Sequence, residues 1–121
     1  MCKVKSLDID GRTIHVADIK TKYMKNIADA AKKCDYIDKI VLFGSSLREN
    51  CRKDSDIDIA VFGNMSRGKA MTSAKYRKFL DSIYAFDGYE QTYDILYFKT
   101  GNRNEAAIMS DIQNGEVIYA R

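Results

Sequence analysis

Gly44-Ser45-Ser46-Leu47-Arg48 is followed, six residues later, by Ser55-Asp56-Ile57-Asp58-Ile59-Ala60-Val61. In the second segment two carboxylates stand two apart within an apolar run. Alternate residues of a strand point to the same face, so Asp56 and Asp58 project side by side while Ile57, Ile59 and Val61 point the other way. Carboxylates held that close repel each other unless a cation lies between them. Hard divalent ions, magnesium above all, are bound by one or two carboxylates together with substrate phosphates. The first segment supplies a place for phosphate: glycine lets an anion approach the main chain, a following helix start adds partial positive charge, and Ser45 adds a hydroxyl donor. Together the two segments read as a metal-and-nucleotide site.

Asp94 extends the pattern. It lies in Tyr93-Asp94-Ile95-Leu96-Tyr97-Phe98, a third carboxylate inside an apolar strand, where aspartate is disfavoured without a reason. Three such acids are a donor set for two metal ions a few ångströms apart, the arrangement used for in-line phosphoryl displacement. Arg48, one turn past Gly44, is placed to hydrogen-bond a phosphate or to tie down the loop. Each piece has a plainer alternative: a simple strand-to-helix turn for Gly44-Ser45, solvent-facing strand residues for Asp56 and Asp58, and an edge-strand acid for Asp94.

These residues need a scaffold of strands and helices in a definite order. Val4 to Val16 alternates in polarity around Asp10-Gly11, a hairpin-turn dipeptide. A helix is expected from about Asp18 to Cys34, with Ile19, Tyr23, Ile27, Ala30, Ala31 and Cys34 on its apolar face and Lys20, Lys22, Lys25 and Lys33 elsewhere. Ile40-Val41-Leu42-Phe43 forms a strand ending at Gly44, and Ser45 to Asn50 begins a brief helix with Ser45 or Ser46 near its N-terminus. A second strand holds Asp56 to Phe62. Ser66 caps a long helix reaching about Phe86, buried through Tyr76, Phe79, Leu80 and Ile83. Thr92 to Phe98 is a third strand. Asn104 caps a last helix carrying Ile108, Met109 and Ile112, stopped by Asn114-Gly115, and Glu116 to Tyr119 closes the sheet. The alternation indicates an α/β (α+β) domain with helices packed on a sheet.

The chain has 121 residues, the size of one domain (1–121, with 1–16 as an N-terminal hairpin extension), and 45% of them are hydrophobic, enough for a core. A net charge of +3 with no run of Lys or Arg gives no plain nucleic-acid patch, though it excludes neither RNA nor a nucleoside triphosphate. Cys2, Cys34 and Cys51 form no C-x-x-C pair or metal-ligand spacing. They read as reduced thiols of a cytoplasmic protein, Cys34 buried and the other two at the surface, and no long apolar run suggests a membrane span.

Gly44-Ser45-x-x-Arg48 with Asp56-x-Asp58 twelve positions after the glycine resembles the DNA polymerase β nucleotidyltransferase superfamily. Within it, the short chain is most similar to the minimal nucleotidyltransferases (MNT type) encoded beside HEPN-domain toxins, over roughly Asp18 to Tyr119. The resemblance implies a mixed β-sheet backed by helices and transfer of a nucleoside monophosphate, AMP from ATP, with release of pyrophosphate. By it, Gly44 and Ser45 hold the triphosphate, Asp56 and Asp58 bind both magnesium ions, and Asp94 binds the metal nearer the attacking hydroxyl and helps remove its proton. The implied acceptor is a tyrosine of a partner HEPN toxin, which would make this chain an antitoxin in a homo- or hetero-oligomer. Glu49 departs from the pattern, standing where many relatives have a second glycine.

Two other functional classes fit the same residues: a non-catalytic module that neutralises a partner by binding, and a transferase acting on a small molecule or an RNA end. Several tempting residues have plainer readings. His15, the only histidine, is expected at the surface or in packing. The aromatic series from Tyr84 to Phe98 reads as core or interface before base stacking. Lys69, Lys75, Arg77 and Lys78 read as a solvated helix face, although Arg67 and Lys69 follow the acidic strand and are candidates to reach a triphosphate.

Overall fold

A computed structural model describes residues 2–101 and 107–121. Among the described residues, six strands and four α-helices follow one another: β1 (Val4–Ile9), β2 (Arg12–Ala17), α1 (Thr21–Lys32), β3 (Ile37–Phe43), β4 (Ile57–Gly63), α2 (Arg67–Thr72), α3 (Ala74–Ala85), β5 (Tyr93–Lys99), α4 (Ile108–Gln113) and β6 (Glu116–Ala120). Strands β5-β4-β3-β6, in that order, make the main sheet. β3 runs antiparallel to β4 and β6, while β4 and β5 run parallel. The fold is therefore α+β with a mixed four-stranded sheet, as the resemblance implied.

Strand alternation sends the side chains of this sheet into two separate cores. Ile57, Ile59 and Val61 of β4 join Ile40 and Leu42 of β3 under α1 and α3, which contribute Tyr23, Met24, Ile27, Tyr76, Phe79 and Ile83. The opposite face carries Val41, Phe43 and Ala60, with Phe62, Leu96 and Phe98 half-buried around them and α4 supplying Ile108, Met109 and Ile112. The buried aromatics fit the plain reading: Tyr97 packs edge-on against Tyr36 and Tyr76, at 6.5 and 5.6 Å between ring centres.

β1 and β2 form the expected hairpin, paired from Val4↔Ala17 to Ile9↔Arg12. Its role is structural: Ile9, Ile14 and Val16 lie in the helix-side core, and Lys32 of α1 pairs with Asp10 at 2.7 Å. His15 is exposed and meets Glu116 at 3.4 Å.

Several expected boundaries are corrected. The first helix is preceded by a 3-10 turn over Asp18–Lys20, which rotates the apolar stripe so that Ile19 is exposed and Lys20 is buried. The expected long helix is two, because Ser73 breaks it in an extended conformation (φ −76°, ψ 133°) and caps α3 with its hydroxyl, as Ser66 caps α2. Ser45 to Asn50 is a single 3-10 turn over Gly44–Leu47 without a side-chain cap. Cys51 is buried rather than at the surface. Asn104, expected to cap the last helix, lies outside the described residues. None of the described helices is long and apolar enough to cross a membrane.

Candidate active site

The acids come together because of strand register. β4 and β5 pair in parallel with Asp58 directly beside Asp94, and paired residues in neighbouring strands share a face. That face is the one carrying Ala60, Phe62, Leu96 and Phe98, away from the larger core. Asp56 sits one residue before β4, on the same side by alternation, and its carboxylate accepts a hydrogen bond from the Thr92 hydroxyl. Asp56 and Asp94 are exposed and Asp58 is half-buried. Burial pushes the Asp58 carboxyl above the usual carboxylate range, and the charges of Asp94 and Asp56 push it the same way. The same two charges also raise the hydroxyl of Tyr84, after the larger effect of its burial.

The glycine-serine turn reaches the same end of the sheet from the other neighbour. β3 ends at Phe43, which pairs with Asp58, and Gly44 follows in the left-handed region at φ +77°. A Cβ at Gly44 would stand 3.0 Å from Asp58 Cγ and closer still to its Oδ2. Only glycine leaves room for that carboxylate. Ser45 is half-buried. Ser46 is fully buried, and its hydroxyl has no hydrogen-bond partner among the described residues. Arg48 is exposed. Its carbonyl accepts the Cys51 N–H at 3.2 Å, while its guanidinium pairs with no carboxylate among the described residues.

Five of the six predicted residues are thus gathered by backbone register at one end of the sheet, with Arg48 at the margin. Arg67 and Lys69 are not part of it: they begin α2 beyond the far end of β4, a seven-residue strand, about 20 Å away by strand geometry. Among the described residues, no three His, Cys, Asp or Glu side chains close around a single point. The acids supply hard oxygen donors, the kind that binds a cation together with phosphate oxygens and water.

Sequence reasoning missed the support beside these acids. Lys20, 1% exposed, donates to the Lys53 and Ser55 carbonyls at 3.1 and 2.7 Å and to Gln91 Oε1 at 2.7 Å. The buried Gln91 in turn donates to the Ser55 and Thr92 carbonyls at 2.9 and 2.6 Å. A lysine beside an apolar stripe gives no signal of burial; the displaced helix start does, and only the structure supplies that. A cavity of about 850 Å³ opens beside the support, lined by Ile19, Tyr23, Lys53, Asp54, Asp87 and Gln91 among others. Neither Asp56, Asp58 nor Asp94 lines it.

The mixed sheet carries a glycine-serine bend and neighbouring acids at one strand end. The family described as "Polymerase beta, Nucleotidyltransferase" matches residues 25–121. The chain belongs to that family and is a nucleotidyltransferase domain, with the N-terminal hairpin lying outside the matched region. No curated protein matches it.

Proposed function

We propose that this chain transfers a nucleoside monophosphate, AMP from ATP, to a hydroxyl acceptor in a magnesium-dependent reaction. The observation that carries the reading is the pairing of Asp58 with Asp94 beside Gly44. The donor set fits magnesium: all-oxygen and anionic, with the Asp58 carboxyl raised first by burial and then by the charges of Asp94 and Asp56. Asp56 and Asp58 would hold two ions and Asp94 one of them. When bound, such ions supply charge stabilisation at the α-phosphate and the leaving pyrophosphate. The N–H groups of the Gly44–Leu47 turn and the Ser45 hydroxyl hold the phosphate tail. Asp94 takes the proton from the acceptor hydroxyl as its oxygen bonds to the α-phosphorus and the bond to pyrophosphate breaks.

The acceptor we infer is a tyrosine on a folded partner, a HEPN-type toxin that this chain would neutralise as an antitoxin. Asp94 lies exposed on β5, the edge strand of the sheet, where a protruding hydroxyl of another protein has access. Incubation with α-labelled ATP, magnesium and the partner, followed by mass spectrometry of the acceptor, tests the reading. A nucleotide adduct that disappears with Asp58→Asn is the expected result. An adduct formed at the parent rate by that variant would overturn the assignment.

A further inference from the structure

Beside the acids sits a buried cation whose hydrogen bonds, among the described residues, go to no carboxylate. We propose that Lys20 is a positioning residue, whose ammonium clamps the chain entering Asp56 to the residues that open the strand of Asp94 and so sets the spacing of the three carboxylates. The role of the acids themselves rests on the function proposed above.

β4 and β5 are parallel neighbours, so no tight hairpin joins their starts. Something else must hold the two entrances together. Each entrance is irregular chain: residues 52–56 before β4 and 90–92 before β5. The three donors of the Lys20 ammonium meet three oxygens drawn from both, Lys53 O and Ser55 O on one side and Gln91 Oε1 on the other. The amide of Gln91 crosses back to Ser55 O, and Thr92 O accepts both that amide and the Ile57 N–H at 3.1 Å. Thr92 then reaches the Asp56 carboxylate through its hydroxyl. The network thus passes from Lys20 to an acid in three residues.

Lys20 itself is firmly placed. Its turn follows β2, whose Val16 and Ala17 are wholly buried, and the Asp18 N–H is held by Lys3 O at 2.7 Å. A neutral side chain of equal length would fill the space but take the lysine's donors away from Lys53 O and Gln91 Oε1, leaving Ser55 O to the Gln91 amide alone, and a carboxylate partner would draw the ammonium to one side. With only carbonyl-type acceptors, the lysine grips both entrances and leaves its positive charge facing the nearby acids.

Lys20→Met keeps the length and removes the donors. The parent and the variant are compared in their thermal midpoint, in Mn2+ binding read by electron paramagnetic resonance of the free ion, and in kcat and KM for ATP at a temperature where both are folded. Mn2+ binding is expected to weaken by about tenfold and kcat to fall by about a hundredfold, as for a misplaced reacting group, with KM for ATP changing far less. A folded variant that binds Mn2+ and turns over like the parent would reduce Lys20 to a stabilising residue and overturn the proposal. Gln91→Met cuts only the link to β5 and should shift both readouts in the same direction by less. If Lys20→Met does not fold, parental Mn2+ affinity and kcat in Gln91→Met overturn the proposal instead. A parent that neither binds Mn2+ nor forms an adduct defeats the proposed function first, and the inference about Lys20 falls with it.

Discussion

Gly11 and Gly44 both adopt left-handed backbone, at φ +84° and +77°, and both follow a strand of the chain. Around the position a Cβ would take at Gly11 there is nothing within 4 Å; at Gly44 the same atom would strike the Asp58 carboxylate. At the hairpin, glycine serves conformation alone, in a turn where Asp10 is also left-handed at φ +49°. At Gly44 it serves conformation and space together, because an acid from the neighbouring strand occupies the place of its side chain. The difference separates a turn that joins two strands from a turn that builds a site.

The contrast is broken most severely from the acid's side. Asp58→Asn should lower transfer by about a thousandfold or more, the loss expected when several kcal/mol of charge stabilisation at the phosphates is removed. The fold should remain, since the side chain keeps its shape and sits at the half-buried margin of the sheet. Initial rates of adduct formation, with circular dichroism as the control, measure this. Gly44→Ala attacks the same contact from the other strand. The added methyl must displace the Asp58 carboxylate, and left-handed alanine costs about 1–2 kcal/mol by itself. Transfer should fall roughly a hundredfold, as for a group displaced by about an ångström, and the denaturant midpoint should fall as well.

A smaller effect follows from the raised Asp58 carboxyl. A group whose folded pKa lies above its unfolded value of 3.8 favours the folded state below that value and loses this contribution as pH rises through the folded pKa. In the metal-free protein at neutral pH, ionised Asp58 is therefore a burden that asparagine removes. Asp58→Asn should be the more stable protein at pH 7. The gap should close as pH falls toward 3.8, which paired thermal melts across the acidic range would record. A constant gap would mean that neither the burial of Asp58 nor the charge of its neighbours has an energetic consequence, and Gly44 would then differ from Gly11 in space alone.

How much of this was legible depends on the range of the interaction. Asp56 and Asp58 were visible because alternation within one strand is a local rule, and Asp94 because an acid in an apolar run is locally anomalous. The pairing of Asp58 with Asp94 joins β4 to β5 across two intervening helices, and periodicity gives no register between strands; the resemblance supplied the expectation and the structure supplied the alignment. A helix beginning at Asp18 puts Lys20 on the polar side, whereas the 3-10 turn there changes the rotation per residue. The break at Ser73 was missed because Ser66 already offered a cap and the apolar spacing of Tyr76, Phe79 and Ile83 continues in register. The hairpin was read correctly from Asp10-Gly11, but the burial of Ile9, Ile14 and Val16 in the main core depends on contacts that no local pattern encodes.

The mildest substitution tests the other half of the comparison. Gly11→Ala meets no neighbouring atom, so its cost is the left-handed backbone of alanine, partly offset because alanine also restricts the unfolded chain. The expected loss of stability is about 1 kcal/mol or less, seen as a small fall in the denaturant midpoint with an unchanged slope. Adduct formation by the folded protein should equal that of the parent, since the turn is tied to α1 through Asp10 and Lys32 and contributes no atom to the acids. A tenfold loss of transfer in Gly11→Ala would connect the hairpin to the site. The two glycines would then differ in degree, and the core contact of β2 with the Gly44–Leu47 turn would be the path to examine.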